Sequence, residues 1–599
     1  MDHDVLVLYA TETGTAQDAA DRAARHVRRL RCRARVVSVD AYPLADLVHE
    51  QLCLFLLSTS GSGAFPRSAE ALWSTLLRSD LPPDLFDDLD FAVFGLGDSA
   101  YEKFCWPAKL LDRRLEALGG RALVQRGEGD DQHPLGVDGA LLPWLDALTN
   151  VLAEHFPVQP TSGNDRPPPR VTLVPAPPSV PVPADPRLAD PRYHWATLRV
   201  NRRITAPDWW QDVRHFEFDF DEDVQFDPGA TASLLPVNPP DAVAAFLDAL
   251  GWTERADDPV FVCPNLGDQT LPPFLPPPTE PTSLRHLLAH HLSIQAVPRR
   301  AFWETLVHWL EGDEREKVEE WLGEEGGDDL AAYTTRPRRT ALECVAEFRS
   351  RGKIPPAYAF DLVPGMRERE FSIAGSARTH PRQLHLCVAI VKYRTRLIRA
   401  PRRGVATAWL AGMEAGTRIL AGIHPPRRAL PPPATPLVLV GPGTGVASMR
   451  AVVEERAGAG EGETTLYFGC RSAAKDQHYA EEWREYEREG RLRYRLAASR
   501  DGEATRVGVV QSGEADGAPP KSGKTYVQDL IAQDGPQVWD ALRRGGVVFI
   551  SGSSNKMPAA VRAALRGIVA SQGGFGEEEA REWVERAERE GRIIEECWS

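Results

Sequence analysis

Short apolar runs that end in small residues, each followed by a stretch of helical spacing, recur at both ends of the chain. Residues 437–440 (LVLV) form one such run between Pro436 and Gly441, and their Val and Leu content predicts a buried parallel strand. Gly441, Pro442, Gly443, Thr444 and Gly445 follow at once, and apolar residues at Val446, Met449, Val452 and Val453 predict a helix behind them. Near the start, residues 5–9 (VLVLY) read as a buried strand, residues 11–16 as a hydroxyl-rich turn and residues 17–30 as a helix. Residues 34–39, 52–57 and 91–94 continue as strands, and residues 465–469, 493–498 and 547–550 do the same at the far end. Strand-and-helix alternation of this kind predicts an open, mostly parallel α/β sheet at each end.

The middle follows a different rule. Residues 195–200 and 215–220 alternate at the period of half-buried strands, which predicts an antiparallel barrel. Helical spacing in residues 284–292 and 301–323 predicts a helical block over 284–332, read as an insertion in the barrel domain. Strands resume near Arg369. Residues 157–192 hold twelve prolines in 36 positions and tend to polyproline II. Fully extended they would reach about 110 Å at roughly 3.1 Å per residue, so they serve as a hinge or strap, part of it packed on the next domain. A second proline run covers 425–436. The expected domains are therefore 1–155, a linker over 156–192, a barrel domain over 193–430 with its helical insertion at about 240–360, and 431–599.

Composition narrows the functional classes. The 599 residues are too many for one core, and 42% hydrophobic with 26% charged residues is ordinary for globular protein. A net charge of −15 argues against a general nucleic-acid binder. Eight scattered cysteines with no CxxC fit free thiols in a reducing compartment rather than a disulfide frame or zinc site. No apolar run approaches 18 residues and no signal peptide is read at the start, so a cytoplasmic protein with no membrane anchor is expected. His286, His290 and His291 stand near metal spacing but lack an intervening glutamate, and no metal is expected.

The small-residue turns carry the candidate chemistry. Strand, glycine turn and helix start at 437–446 form an anion site: glycines admit a phosphate close to the backbone, and the first N–H groups of the helix point at it. Thr11, Glu12, Thr13, Gly14, Thr15 and Ala16 form a second, different turn without lysine, which excludes a nucleoside-triphosphate loop and suits one phosphate monoester; a capping threonine is the plainer alternative. Thr59, Ser60, Gly61 and Ser62 end the third strand of this domain. Leu96, Gly97, Asp98, Ser99, Ala100 and Tyr101 end the fourth, continuing through Glu102, Lys103, Phe104 and Cys105. Ligands of open parallel sheets bind beyond such strand ends, and Tyr101 is read as stacking on a flat ring. Arg402 and Arg403 before a glycine turn are read as pyrophosphate ligands. Ser499, Arg500, Lys524, Thr525, Tyr526, Val527 and Gln528 gather a hydroxyl, a guanidinium, an ammonium, a phenol and an amide, the set a ribose 2′-phosphate needs, with no acidic residue there for a free 2′-hydroxyl.

On these residues the first domain resembles a flavodoxin-like FMN module. That resemblance places the phosphate on residues 11–16, flanks the isoalloxazine with residues 59–62 and 96–105, and closes the site with Asp131. The sequence Arg369, Glu370, Phe371, Ser372, the turn Gly404, Val405, Ala406, Thr407, and Arg338 resemble the FAD domain of the ferredoxin–NADP reductase type, which implies FAD there. Over residues 4–599 the chain resembles the diflavin reductase family: flavodoxin-like domain, FAD barrel with helical insertion, Rossmann-like NADP domain. The family implies electron transfer from NADPH to FAD to FMN to a protein acceptor. It also implies Ser372, Ser551 and Glu596 as positioning residues near the nicotinamide, Thr444 on the NADP side, and Trp598 as a gate over the flavin. Gly97-Asp98-Ser99 with Lys103-Phe104, residues 129–133 and Arg402-Arg403-Gly404 look most like the branch serving cytosolic iron–sulfur assembly, which implies an anamorsin-type iron–sulfur protein as acceptor.

Departures from the family pattern are local. Ser551-Gly552-Ser553 stands where Cys-Gly-Asp is usual, Ala560 replaces a later Asp of that loop, and Glu596 replaces an Asp before the C-terminal Trp. Two other readings remain open from sequence: the same electron machine feeding a haem protein or another acceptor, and a scaffold that keeps the fold without the chemistry.

Overall fold

A computed structural model describes residues 4–61, 63–156, 166–177, 185–266, 269–460, 462–501, 524–553 and 556–598, with the side chains of His155 and Trp598 excepted. Its contacts divide the chain into two compact units. One comprises residues 1–186, 237–367 and 394–402; the other comprises 187–236, 368–393 and 403–599.

The first unit contains a six-stranded parallel sheet. β1 (Asp4–Ala10), β2 (Arg33–Ser38), β3 (Leu52–Ser58), β4 (Asp90–Gly97) and β5 (Arg121–Ala122) stand in the order β2-β1-β3-β4-β5, and β6 (Gly127–Asp130) pairs with the far end of β4. Both faces of β3 are buried along all but its last residue, which is why its sequence is a continuous apolar run without alternation. α1 (Thr15–Arg29) and α4 (Asp138–His155) pack on one face; α2 (Glu70–Leu76) and α3 (Trp106–Ala117) belong to the core on the other. α1 begins two residues earlier than its periodicity suggested, because Gly14 turns the chain with φ +92° at its N-terminus. β2 stops at Ser38, and Val39 opens a 3₁₀ turn.

Part of the proline-rich tether is folded. β7 (Val171–Pro175) pairs antiparallel with β11 (Val260–Pro264), and Val171 is fully buried. Residues 157–165 and 178–184 of that tether lie outside the described residues. The helical insertion follows as α5 (Pro240–Leu250), α6 (Leu284–His290), α7 (Arg300–Leu306), α8 (Gly312–Leu322), α9 (Gly327–Tyr333), α10 (Ala341–Glu347) and α11 (Ala359–Leu362). Residues 301–323 are not one helix: Leu310 and Glu311 are extended, Leu310 bridges to Arg351, and Gly312 takes φ +56°. The faces of Trp303 and Trp321 pack with Tyr333 and Phe348 as core, with ring centroids 4.8–5.9 Å apart.

The second unit contains two large sheets. β8 (Tyr193–Arg203), β9 (Val213–Phe220), β10 (Thr231–Leu234), β12 (Arg369–Ser372), β13 (Gln383–Ala389) and β16 (Arg418–His424) form an antiparallel sheet in the order β12-β10-β16-β8-β9-β13. A bridge from Ile373 to Leu386 nearly closes it into a barrel. β14 (Lys392–Tyr393), β15 (Arg402–Arg403) and α12 (Val405–Ala411) lie between β13 and β16 in sequence. The other sheet is parallel, ordered β19-β18-β17-β20-β21 from β17 (Leu437–Val440), β18 (Thr464–Cys470), β19 (Arg493–Ala498), β20 (Val547–Ser553) and β21 (Ile593–Trp598). α13 (Val446–Ala459), α14 (Ala473–Asp476), α15 (Ala480–Arg488), α16 (Val527–Gln533), α17 (Gly535–Arg543), α18 (Lys556–Gly573) and α19 (Glu577–Arg589) complete it. Ser551, Gly552 and Ser553, expected in a loop, extend β20 because β21 pairs with them in parallel register. All eight cysteines are free thiols.

Candidate functional sites at the strand ends

The first site gathers at the carboxyl ends of β1, β3 and β4. Thr11 Oγ1 accepts from the Gly14 N–H at 2.9 Å, and the Thr13 and Thr15 hydroxyls stand 3.5 Å apart. This fastens the 11–16 turn and leaves the first N–H groups of α1 at its rim, a fit to a phosphate monoester. The Glu12 carboxylate accepts from the Arg67 N–H, and Ala16 is fully buried. Thr59 joins the second loop to the third, donating to the Leu96 carbonyl from its N–H (2.8 Å) and its hydroxyl (2.9 Å). Ser60 and Ala64 close a tight bridge around Gly61; Ser62 lies outside the described residues.

The third loop is braced by acids. Asp98 accepts from the Ala100 N–H, and Asp130, next to the expected Asp131, accepts from the Ser99 and Gln132 N–H groups at 2.9 and 3.0 Å. These bonds outweigh burial and hold the Asp130 carboxyl below its usual range. Asp131 is exposed and donates its N–H to the Gly97 carbonyl. Tyr101 is half-buried, Glu102 and Lys103 are exposed, and Phe104 lies under the Lys109 ammonium at 5.2 Å. Cys105 is fully buried at φ +51°, and burial pushes its thiol up to about 12, so it is inert packing.

In the second unit, β12 is an edge strand. Ser372 pairs with Thr231, Phe371 with Ala232, Glu370 with Ser233 and Arg369 with Leu234. Arg369 and Glu370 are exposed, whereas Phe371 rests partly buried on the barrel core. At the start of α12, Thr407 Oγ1 accepts from the Val391 N–H at 3.1 Å, which fixes the turn of Gly404, Val405 and the buried Ala406. Arg402 departs from expectation. Its guanidinium is buried in the first unit, forked onto Glu343 at 2.7 and 2.9 Å and donating to the Arg338 carbonyl, so it is a structural clamp and not a pyrophosphate ligand. Arg338 itself is exposed at φ +57°.

The glycine turn after β17 lies tight against β20. A side chain on Gly445 would collide with the Ser551 carbonyl. Thr444 sits in the 3₁₀ turn Gly443–Gly445. Ser551 is fully buried, with its hydroxyl 3.1 Å from that of Ser448, and stands in register with Glu596. Glu596 also flanks Gly229, since a Cβ there would lie 3.9 Å from its carboxylate. The backbone of Trp598 pairs with Ser553, while its side chain lies outside the described residues. Ser499 and Arg500 donate their N–H groups to the Cys470 and Arg471 carbonyls. Val527, buried in the core, packs against Gly469. Residues 499–500 and the start of α16 therefore flank the same end of β18, with Tyr526 and Lys524 exposed and Thr525 and Gln528 half-buried. Contrary to the expectation of no acidic residue, Asp501 and Asp529 stand beside this set, but both are engaged by backbone, Asp501 by the Ala473 N–H and Asp529 by the Tyr526 N–H.

Comparison with known proteins bears on all three sites. Family models for flavodoxin, an FAD binding domain and an oxidoreductase NAD-binding domain match residues 7–144, 189–409 and 439–562. A protein of Cryptococcus neoformans named NADPH-dependent diflavin oxidoreductase 1 is 38% identical over 99% of this chain and 100% of its own. Proteins of the same name from Bos taurus and Danio rerio are 36% and 35% identical over at least 99% of both chains. The chain belongs to the NADPH-dependent diflavin oxidoreductase 1 family. It is an oxidoreductase whose cofactors are FMN, FAD and NADPH, which excludes a redox-inert scaffold.

Sequence reasoning missed one set of residues. In this oxidoreductase a buried polar network joins the barrel to the NADP-side sheet: Arg450 on α13 bonds the Ala374 carbonyl, Glu454 and Glu482, while His215 and His385 pack edge to face. Burial and the Arg450 charge push His215 down to about 3 and lower His385 as well. Only the Arg450–Glu454 pair has helical i,i+4 spacing; Ala374, Glu482 and the histidines are distant in sequence, so no local pattern marks the network. Among the described residues no helix is long and apolar enough to cross a membrane, and no cluster of three metal-ligating side chains occurs.

Proposed function

We propose that this diflavin oxidoreductase delivers electrons from NADPH to an anamorsin-type iron–sulfur protein in cytoplasmic iron–sulfur cluster assembly. The flavins and NADPH supply the redox chemistry; the chain binds and orients them. In the domain of residues 1–155 the hydroxyls and N–H groups of residues 11–16 hold the FMN phosphate, and Tyr101 stacks on the ring held between residues 59–62 and 96–105, with Asp131 at the rim. In the barrel domain of residues 193–430, residues 369–372, 404–407 and Arg338 hold FAD. In the domain of residues 431–599, Thr444 and the glycine turn take the NADPH pyrophosphate, and Ser499, Arg500, Lys524, Thr525, Tyr526 and Gln528 take the 2′-phosphate, with Val527 contributing only its backbone. Ser372, Ser551 and Glu596 position the nicotinamide, and Trp598 gates its access.

The observation that carries this reading is the pair of unlike turns at residues 11–16 and 441–445, each at the carboxyl edge of its own parallel sheet, in a chain matched end to end by diflavin relatives. The acceptor rests on the resemblance of residues 97–104, 129–133 and 402–404. Purified enzyme offered an anamorsin-type iron–sulfur protein and a microsomal-type haem protein separates the readings. NADPH-dependent reduction of the first at the higher kcat/KM is expected; preference for the haem protein overturns the acceptor assignment.

A further inference from the structure

The 11–16 turn has an electrostatic deficit. It holds no lysine or arginine, it carries Glu12, and Asp18 sits in the first turn of α1. Two carboxylates beside a dianion are unfavourable unless cations come from elsewhere. Within the same unit, two arginines from the middle of the chain reach this turn. Arg299, at the N-terminus of α7, points its Nη1 at the Gly14 carbonyl (3.4 Å) and the Asp18 carboxylate (3.4 Å), and its Nη2 lies 3.5 Å from the Thr15 hydroxyl. Arg367 bonds the Gln17 side chain, and its guanidinium lies over Gly14 where a β-carbon would stand. The two arginines of α1 nearest the turn are engaged elsewhere, Arg22 with Asp138 and Arg25 with Glu304. Although burial opposes it, the Arg299, Arg22 and Arg25 charges hold the Asp18 carboxyl below its ordinary range, so it stays charged and keeps Arg299 at the turn.

We propose that Arg299 and Arg367 supply the counter-charge for the FMN phosphate, so that FMN binding and docking of the flavodoxin-like domain on the helical insertion reinforce each other. This rests on the assignment of residues 11–16 to the phosphate. By reciprocity, whatever factor the docked arginines add to FMN affinity, FMN adds to docking. When the domain undocks, the phosphate loses these two guanidinium charges.

The test titrates full-length protein, stripped of FMN, with FMN and with riboflavin, which lacks the phosphate. Wild type, R299Q/R367Q and the charge-keeping R299K/R367K are compared at low and high salt. The expected result is an FMN Kd about tenfold or more higher in R299Q/R367Q, the loss expected for charge-assisted contacts. Riboflavin affinity should be unchanged, the lysine variant should recover most of the affinity, and the difference should shrink at high salt. FMN affinity equal to wild type in R299Q/R367Q overturns the proposal, as does an equal loss for FMN and riboflavin, which marks a purely structural role. Wild type that binds riboflavin as tightly as FMN overturns the phosphate assignment beneath it, a separate outcome read before any variant is made.

Discussion

Arg450 on α13 donates a 2.6 Å hydrogen bond to the Ala374 carbonyl, two residues beyond Ser372 at the end of β12. The helix that starts at the glycine turn is thereby tied to the strand proposed to carry FAD. Glu454 (2.7 Å) and Glu482 (2.6 Å) hold the same guanidinium, and Arg450 and Glu454 are both almost wholly buried. Removing one partner of such a pair leaves an uncompensated buried charge and costs about 3–5 kcal/mol, whereas replacing both with apolar groups costs much less. Denaturant unfolding should therefore show R450L strongly destabilised and R450L/E454L partly recovered. A double variant at the sum of the two single losses would argue against the buried-pair account.

The Gly445 approach to Ser551 gives a sharper functional test. A methyl at Gly445 has to displace the Ser551 backbone, and overpacking of this kind costs about 1–3 kcal/mol. G445A should raise the KM for NADPH on the order of tenfold while FMN and FAD content stay at wild-type levels. Loss of flavin with unchanged KM would place the glycine turn elsewhere in the chemistry.

Acid sensitivity follows from His215. Its folded pKa of about 3 lies below the ordinary value of 6.5, so between those limits the unfolded chain binds more protons. Its contribution is full above pH 6.5 and is lost as pH falls through that window. His385 shifts in the same direction for the same reason, burial beside positive charge. The thermal midpoint should fall from pH 6.5 toward pH 4, and H215Q should flatten the slope. An unchanged slope in H215Q would assign acid lability to other groups.

Much of the scaffold is legible in the sequence because its signals are local. The run 437–440 and its glycine turn fix β17 and the start of α13 to the residue, since Pro436 and Gly441 bound the strand. The 301–323 pattern gives helix but not the break inside it, because apolar spacing does not register the extended Leu310 or the positive φ at Gly312. Ser551–Ser553 look like a loop until β21, some forty residues later, supplies the pairing. Arg402 looks like a phosphate ligand because nothing nearby reveals Glu343. Arg299 and Arg367 are likewise invisible, their partners lying about 285 and 350 residues away.

The C-terminal residue pair offers a specificity test. The backbone of Trp598 ends β21 beside Ser553, and the gate proposed above makes this residue set how the nicotinamide reaches the flavin. Deleting Trp598 and Ser599 should raise NADH-driven turnover relative to NADPH. An unchanged NADPH-to-NADH ratio counts against the gate.

Cofactor content and electron flow in the purified full chain test the account at its root. Extraction should release FMN and FAD in equal amounts, and NADPH should drive reduction of cytochrome c by the same preparation. A protein that stays colourless after both flavins are supplied, or that leaves NADPH unoxidised with every electron sink offered, contradicts the assignment of its phosphate turns.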